Sequence, residues 1–101
     1  MKKRNTQNNG NGDGSRPIRI EFAHPTAATV AIAGTFNGWR PDATQMVQVS
    51  EGCWRKELVL APGRYEYRLV VDGRWITDPR ANETVPNPFG ERNSVLQVKA
   101  V

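Results

Sequence analysis

Short runs of alternating apolar and polar residues, each ended by Gly, Pro, Asn or Asp, fill the chain from Arg16 onward. This alternation is typical of antiparallel strands covered on one face, because successive side chains of a strand point to opposite sides. No segment has the apolar spacing that would predict a helix. With 101 residues, we expect one domain, whose core needs a contribution from nearly every ordered segment.

The alternation predicts about seven strands, and therefore an all-β fold with an antiparallel β-sandwich architecture. The clearest strand patterns cover residues 18–22, 29–34, 46–49, 54–60, 65–71 and 93–98. Asp72-Gly73 predicts a two-residue hairpin that places Trp75 just across the turn. Residues 78–92 contain three prolines and no periodicity, so we predict a long irregular loop there, of the kind that often carries function.

Several side chains can be assigned to a face of their predicted strand. Val30 and Ile32 are expected to point inward, and Trp54 shares the core face of its strand with leucines. In residues 65–71 the aromatic and aliphatic positions alternate with Glu66, Arg68 and a valine, so Arg68 is predicted to point outward.

The charge of the chain is concentrated near its start. Of 14 Lys and Arg and ten Asp and Glu, four basic and one acidic residue lie in residues 1–16, a stretch rich in Asn and Gly that we predict to be a disordered tail. Residues 17–101 are then nearly neutral, which argues against a nucleic-acid partner. No apolar stretch is long enough for a signal peptide or a membrane span, so we expect a cytoplasmic location and no membrane partner.

The composition offers few residues that could catalyse a reaction or bind a metal ion. A glycosidase needs two carboxylates in a cleft, and a zinc site needs several His or Cys ligands. The chain has one His and one Cys, and His24, Asp72 and Asp78 each adjoin predicted turns. We therefore expect no enzymatic activity, no metal and no cofactor.

Two of the three tryptophans, Trp39 and Trp75, flank turns instead of lying within a strand. Exposed indoles suit a binding role, because they stack on flat apolar surfaces such as the C–H face of a pyranose ring. Polar groups for sugar hydroxyls are available on nearby segments: Arg68, Arg74, Asn87, Glu91 and Asn93. Composition alone leaves three alternatives to sugar binding. The tryptophans could bind single-stranded nucleic acid or a protein partner, or the Trp39 loop could be structural.

Three motifs occur together and in order: a GxFNxW loop at residues 34–39, a Y-x-[YF]-[KR] strand at 65–68, and a VDGxW hairpin at 71–75 followed by Asp-Pro. In this combination the chain resembles carbohydrate-binding module family forty-eight, which includes the glycogen-binding module of the AMP-activated protein kinase β subunit and of isoamylases and branching enzymes. The resemblance spans roughly residues 18–98. It implies an immunoglobulin-like sandwich of the early-set type that binds α-1,4-glucan without catalysis.

The resemblance also implies roles for individual residues. Trp39 and Trp75 would be the stacking platforms, and Arg68 would take the place of the family's lysine in hydrogen-bonding sugar hydroxyls. Phe89, Glu91 and Asn93 fall in the loop that contacts the glucan, although this loop is about one residue longer and Phe89 and Glu91 replace the more usual leucine and threonine. The alternative is a protein-interaction domain of the same fold, docking in trans onto a glycogen-metabolising enzyme or a kinase.

Overall fold

The computed structural model describes residues 14–100, which form eight β-strands and one short 3₁₀ turn at Thr35–Asn37. The strands are β1 (Arg16–Ala23), β2 (Val30–Gly34), β3 (Val47–Ser50), β4 (Cys53–Leu60), β5 (Gly63–Val71), β6 (Arg74–Ile76), β7 (Glu83–Pro86) and β8 (Arg92–Val98). Most of the predicted tail, residues 1–16, lies outside the described range. Within that range, no helix has the length and apolar character required to cross a bilayer.

The strands form two antiparallel sheets, which confirms the predicted β-sandwich. The three-stranded sheet has the order β1-β4-β3, and the five-stranded sheet has the order β2-β5-β8-β7, with β6 paired to the end of β5. The additional strand relative to the predicted seven is β7, in the segment that we predicted to be an irregular loop. Its four residues, Glu83–Pro86, show no alternation, and they are ordered by pairing with β8.

The core lies between the two sheets and consists of their inward-facing side chains. Val30, Ile32 and Leu69 are fully buried, and Trp54 packs in the same cluster, as the alternation predicted. The remaining buried members of the cluster are Ile20, Phe22, Met46, Leu58, Leu60, Tyr67, Val71 and Val98. Removing these side chains from water is the main favourable term in folding a domain this small.

A polar group of three side chains lies at the edge of this core. The Tyr67 hydroxyl donates to Asp78 Oδ2 at 2.6 Å, and the Asp78 backbone N–H donates to Ser94 Oγ at 2.9 Å. Asp78 Oδ1 also accepts the backbone N–H of Arg80, which confirms the predicted turn at Asp-Pro. Burial, followed by the hydrogen bond and charge of Asp78, raises the pKa of Tyr67.

Tyr67→Phe is expected to lower the free energy of unfolding by about 1 to 3 kcal/mol, because the nearly buried Asp78 carboxylate loses its donor. The folded pKa of Tyr67 lies above its unfolded value, so this stabilisation is complete below about pH 10 and is lost as pH rises beyond it. Urea denaturation from about pH 8 to about pH 11 should therefore show a weaker alkaline decline in the variant.

Tyr65→Phe is the matched control, since the Tyr65 hydroxyl donates to a neutral acceptor, the Ala61 carbonyl, at 2.6 Å. We expect it to cost about 1 kcal/mol, the usual net value of a neutral hydrogen bond. Equal losses in the two variants, or an unchanged alkaline decline in Tyr67→Phe, would contradict the role given to Asp78.

Candidate functional site

The outer face of the five-stranded sheet brings together residues that are distant in sequence. Directly paired residues of an antiparallel sheet share a face, and Val70 of β5 pairs with Ala31 of β2 on one side and with Trp75 of β6 on the other. Arg68, two residues before Val70, lies on the same face and pairs with Ala33. The register therefore places Arg68 and Trp75 on one surface, opposite the core.

The loop that carries Trp39 is fixed by the side chain of Asn37. Asn37 Oδ1 accepts the backbone N–H of Gly34 at 3.0 Å, while Nδ2 donates to the Ile32 carbonyl at 2.9 Å and to Thr44 Oγ1 at 3.0 Å. Trp39 has φ 61°, an unfavourable value for a bulky residue. Its backbone N–H donates to the Gly34 carbonyl at 2.9 Å, and this anchored loop holds the strained conformation.

The Trp39 indole covers part of the outer sheet face. It is half-buried and packs against a small apolar cluster of Ala31, Ala33 and Val70. Trp39 thus packs structurally on the outer sheet face, and part of its ring remains exposed to solvent.

The Asp72-Gly73 turn that presents Trp75 has positive φ at both positions, 50° and 83°, as a type I′ turn of the predicted two-residue hairpin requires. Asp72 Oδ1 accepts the backbone N–H groups of Ala28 and Thr29, each at 2.9 Å. These bonds lower the pKa of the carboxyl and tie the hairpin to the start of β2. Trp75 emerges from this braced hairpin with 37% of its surface exposed.

Arg68 lies on the outer face of its strand, as predicted, but it is not exposed to solvent there. Its side chain is only 9% exposed, because the flanking loops close over it. Nη1 forms a 2.5 Å ion pair with Glu91 Oε1, and Nη2 donates to the Trp75 carbonyl at 3.3 Å. Nε is buried and has no partner within the described chain, so one rigidly placed donor is left over.

The loop between β7 and β8 is organised by Asn87. Its Oδ1 accepts the backbone N–H groups of Phe89 and Glu91, each at 3.0 Å, and its backbone N–H donates to the Glu91 carbonyl at 2.9 Å. These bonds fold the segment into a tight turn that holds Phe89 at the tip, 85% exposed. Asn87 is therefore a positioning residue.

Asn93 connects this loop to the sheet. Its Oδ1 accepts from Asn87 Nδ2 at 3.1 Å, and its Nδ2 donates to Glu66 Oε1 at 3.0 Å. The hydrogen bond from Asn93, together with one from Arg64, lowers the pKa of Glu66. Asn93 is buried, and these two hydrogen bonds fix its side-chain amide between the loop and the sheet.

These elements enclose a groove of about 740 Å³. It is lined by Trp39, Arg68, Trp75, Pro88, Phe89, Glu91 and Asn93. The six residues to which the family resemblance gives a role thus lie around one concavity. Pro88 was missed, although the Asn-Pro-Phe-Gly run that contains it is a turn signal. Arg74, another candidate, lines a separate hollow with His24 and Asp72.

The groove combines exposed aromatic surface with a few fixed polar groups. Two indoles and a phenyl ring provide flat apolar faces, and Arg68, Glu91 and Asn93 provide donors and acceptors. This combination is typical of small-molecule binding sites, in which a few polar groups orient a ligand against a largely apolar lining.

Comparison with protein families matches most of the chain to one family. Residues 16–101 match the family model described as the glycogen recognition site of AMP-activated protein kinase.

Curated relatives with related sequences include enzymes and a kinase subunit. The chain is 35% identical over 83 residues to the protein FLOURY ENDOSPERM 6 of Oryza sativa. It is 30% identical over 81 residues to a phosphoglucan phosphatase of Castanea sativa, and 30% identical over 86 residues to the β-2 subunit of human 5′-AMP-activated protein kinase. The matches cover 82%, 80% and 84% of the chain but only 15%, 22% and 30% of these relatives.

Solved structures with a similar fold include a maltogenic amylase from S. marinus, with a TM-score of 0.73 over 87% of the chain and 14% of the amylase. A ferric enterobactin esterase from Salmonella typhimurium aligns with a TM-score of 0.70 over 86% of the chain and 32% of the esterase. Sequence identities are 21% and 14%, so these likenesses concern the fold.

Proposed function

Because the chain belongs to the glycogen-recognition family of AMP-activated protein kinase, we propose that it binds α-1,4-glucan in the Trp39–Trp75 groove and is not itself an enzyme. The observation that carries the proposal is the convergence of Trp39, Trp75 and Phe89 with Arg68 and Asn93 around one concavity.

In this proposal, Trp39 and Trp75 bind glucose units by stacking. The C–H face of a glucose ring buries apolar surface against an indole, while its hydroxyls remain at the rim. A curved α-1,4-glucan suits aromatic rings that are held on two separately braced loops. Phe89 contacts the glucan from a third loop, between β7 and β8. Each stack contributes about 1 to 3 kcal/mol by analogy with stacked bases, and a millimolar Kd corresponds to about 4 kcal/mol. We therefore expect affinity between micromolar and millimolar.

The polar groups of the groove fix the orientation of the bound sugar. The Arg68 guanidinium lines the groove, where a sugar hydroxyl oxygen would accept a hydrogen bond from it. Asn93 offers an amide N–H, and the Glu91 carboxylate offers acceptors. Because Arg68 and Asn93 are already held by other residues, little side-chain entropy is lost when they bind.

The carboxylate in the groove is the reason to propose that the domain is not catalytic. Glycoside hydrolysis requires one carboxyl group to donate a proton and a second to act as base or nucleophile. In the described part of the chain, Glu91 is the carboxylate that lines the groove, and it forms an ion pair with Arg68. This arrangement favours binding over bond cleavage.

Native gel electrophoresis with and without glycogen in the matrix is the first test. We expect glycogen to retard this protein selectively, because each branched particle offers many short glucan segments to the groove. Serum albumin, which has no such groove, is the control for sieving. A titration with maltoheptaose, followed by tryptophan fluorescence, should show a change as Trp39 and Trp75 are covered. Unchanged mobility together with unchanged fluorescence would refute the proposal.

The similarity to a kinase subunit favours a second candidate function, a protein-interaction domain that docks onto a partner enzyme or kinase. The groove variants separate the two. In a glucan-binding module, Trp75→Ala abolishes glycogen retardation, whereas an interaction domain retains its principal partner in a co-precipitation experiment with the same folded variant.

A further inference from the structure

The ion pair between Arg68 and Glu91 has a fixed place in the groove. The Arg68 side chain is nine-tenths buried, whereas that of Glu91 is 56% exposed, and the contact between them is 2.5 Å. The backbone of Glu91 is held on both sides by Asn87, which accepts its N–H and donates to its carbonyl. The Glu91 backbone is thus held in a tight turn, its Oε1 is held by Arg68 Nη1, and more than half of the side chain remains exposed.

Electrostatics explain why Arg68 needs this partner. A buried cation without a counter-charge is strongly unfavourable. An unpaired guanidinium lining this groove would attract anions, because its planar fork matches carboxylate and phosphate. Arg68 and Glu91 are the charged side chains that line the groove in residues 14–100. Their formal charges cancel, and the outer charge facing the ligand is negative.

We propose that the Arg68–Glu91 pair makes the groove selective for uncharged glucan and rejects glucan that carries phosphate esters. The inference rests on the proposed function and specifies its substrate class. A neutral hydroxyl both donates and accepts, so it bonds to the Glu91 carboxylate as well as to the Arg68 guanidinium. A phosphate ester near the groove instead faces the exposed Glu91 carboxylate, and its natural guanidinium partner is already occupied.

The magnitude of the discrimination follows from the geometry. Like charges brought together at a partly desolvated interface cost several kcal/mol, and 1.4 kcal/mol corresponds to a tenfold change in Kd. We therefore expect at least about a tenfold preference for the uncharged ligand. Replacing the Glu91 carboxylate by an isosteric amide removes the repulsion and leaves Arg68 free to pair with the phosphate. Both effects reduce the preference for the uncharged ligand.

The test compares two ligands that differ only in the ester. Maltopentaose carrying one phosphate at a primary hydroxyl, and the same sample after phosphatase treatment, are titrated by isothermal calorimetry into the wild-type protein and into Glu91→Gln. Because the oligosaccharide has five glucose units, its phosphate cannot lie far from the groove when the ligand is bound. The control is Glu51→Gln, which removes an exposed carboxylate from the turn between β3 and β4, on the other sheet.

We expect the wild-type protein and Glu91→Gln to differ by about tenfold or more in the ratio of the two Kd values, and Glu51→Gln to retain the wild-type ratio. Equal affinity of the wild-type protein for the two ligands, or an unchanged ratio in Glu91→Gln, would overturn the inference while leaving glucan binding intact. Failure of the wild-type protein to bind the dephosphorylated ligand would overturn the proposed function as well.

A second variant keeps the test decisive if Glu91→Gln does not fold with Arg68 left unpaired. In the double variant Arg68→Met, Glu91→Gln both charges are removed, and an apolar side chain of similar length fills the buried space. This variant should also lose the discrimination, because neither the repelling carboxylate nor the cation remains. Retained discrimination in the double variant would overturn the inference.

Discussion

Gly34→Ala is expected to destabilise the domain by about 3 kcal/mol or more, the upper range for inserting a group into a packed interior. A Cβ at this position would lie 2.6 Å from the Glu66 carbonyl oxygen and 2.7 Å from Tyr67 Cβ. Both atoms belong to β5, which is paired to Gly34 in the sheet, so they cannot move aside cheaply. For a domain of this size, that loss is a large part of the total stability.

Gly73→Ala is the matched control, since it introduces the same methyl group under opposite conditions. Nothing lies within 4 Å of a Cβ at Gly73, but its φ of +83° disfavours any L side chain. Gly34 has φ −163°, which any residue adopts, so the only obstacle to a side chain there is the lack of space for its Cβ. We expect Gly73→Ala to cost about 1 kcal/mol. Denaturant unfolding of both variants checks this; a Gly34→Ala variant as stable as the wild-type protein, or less affected than Gly73→Ala, would contradict it.

Gly34 also matters for the groove. Its carbonyl oxygen accepts the backbone N–H of Trp39, and its own N–H donates to Asn37. The close approach of β2 to β5 at Gly34 therefore sets the height of the Trp39 loop above the sheet. This explains physically why the loop motif begins with glycine.

The local period of a strand made most of the sandwich predictable. Tyr67, Leu69 and Val71 were assigned to one face by alternation, and all three lie in the core. Asp72-Gly73 has the φ values that its turn type demands. Such features depend on neighbours within a few residues, which the sequence displays directly.

Features that depend on distant neighbours were not predictable in the same way. Strand β7 has no periodicity of its own and is ordered by β8. The burial of Arg68 depends on Glu91, 23 positions later in the chain, and on Trp75. The six candidate site residues came from the family resemblance as well as from residue chemistry. Their convergence is a property of the fold, and their contact with a ligand stays a prediction.

Trp75→Ala is expected to weaken glucan binding by about tenfold to a hundredfold, the equivalent of one lost stack of about 1 to 3 kcal/mol. Trp75 is partly exposed on the braced hairpin, and its removal opens no core cavity. The folded state should therefore survive, and the thermal midpoint should change little. Calorimetric titration with maltoheptaose and thermal unfolding monitored by circular dichroism measure the two effects separately.

Trp54→Phe is the control that keeps the argument specific, because Trp54 is buried in the core between the sheets. We expect it to lower stability while the folded protein binds maltoheptaose as the wild type does. Trp39→Ala should lie between the two, with lost affinity and some lost stability, because its indole also covers Ala31, Ala33 and Val70. Wild-type affinity in a folded Trp75→Ala variant would remove Trp75 from the site. The proposed function would then require the glucan to stack on Trp39 and Phe89 without Trp75.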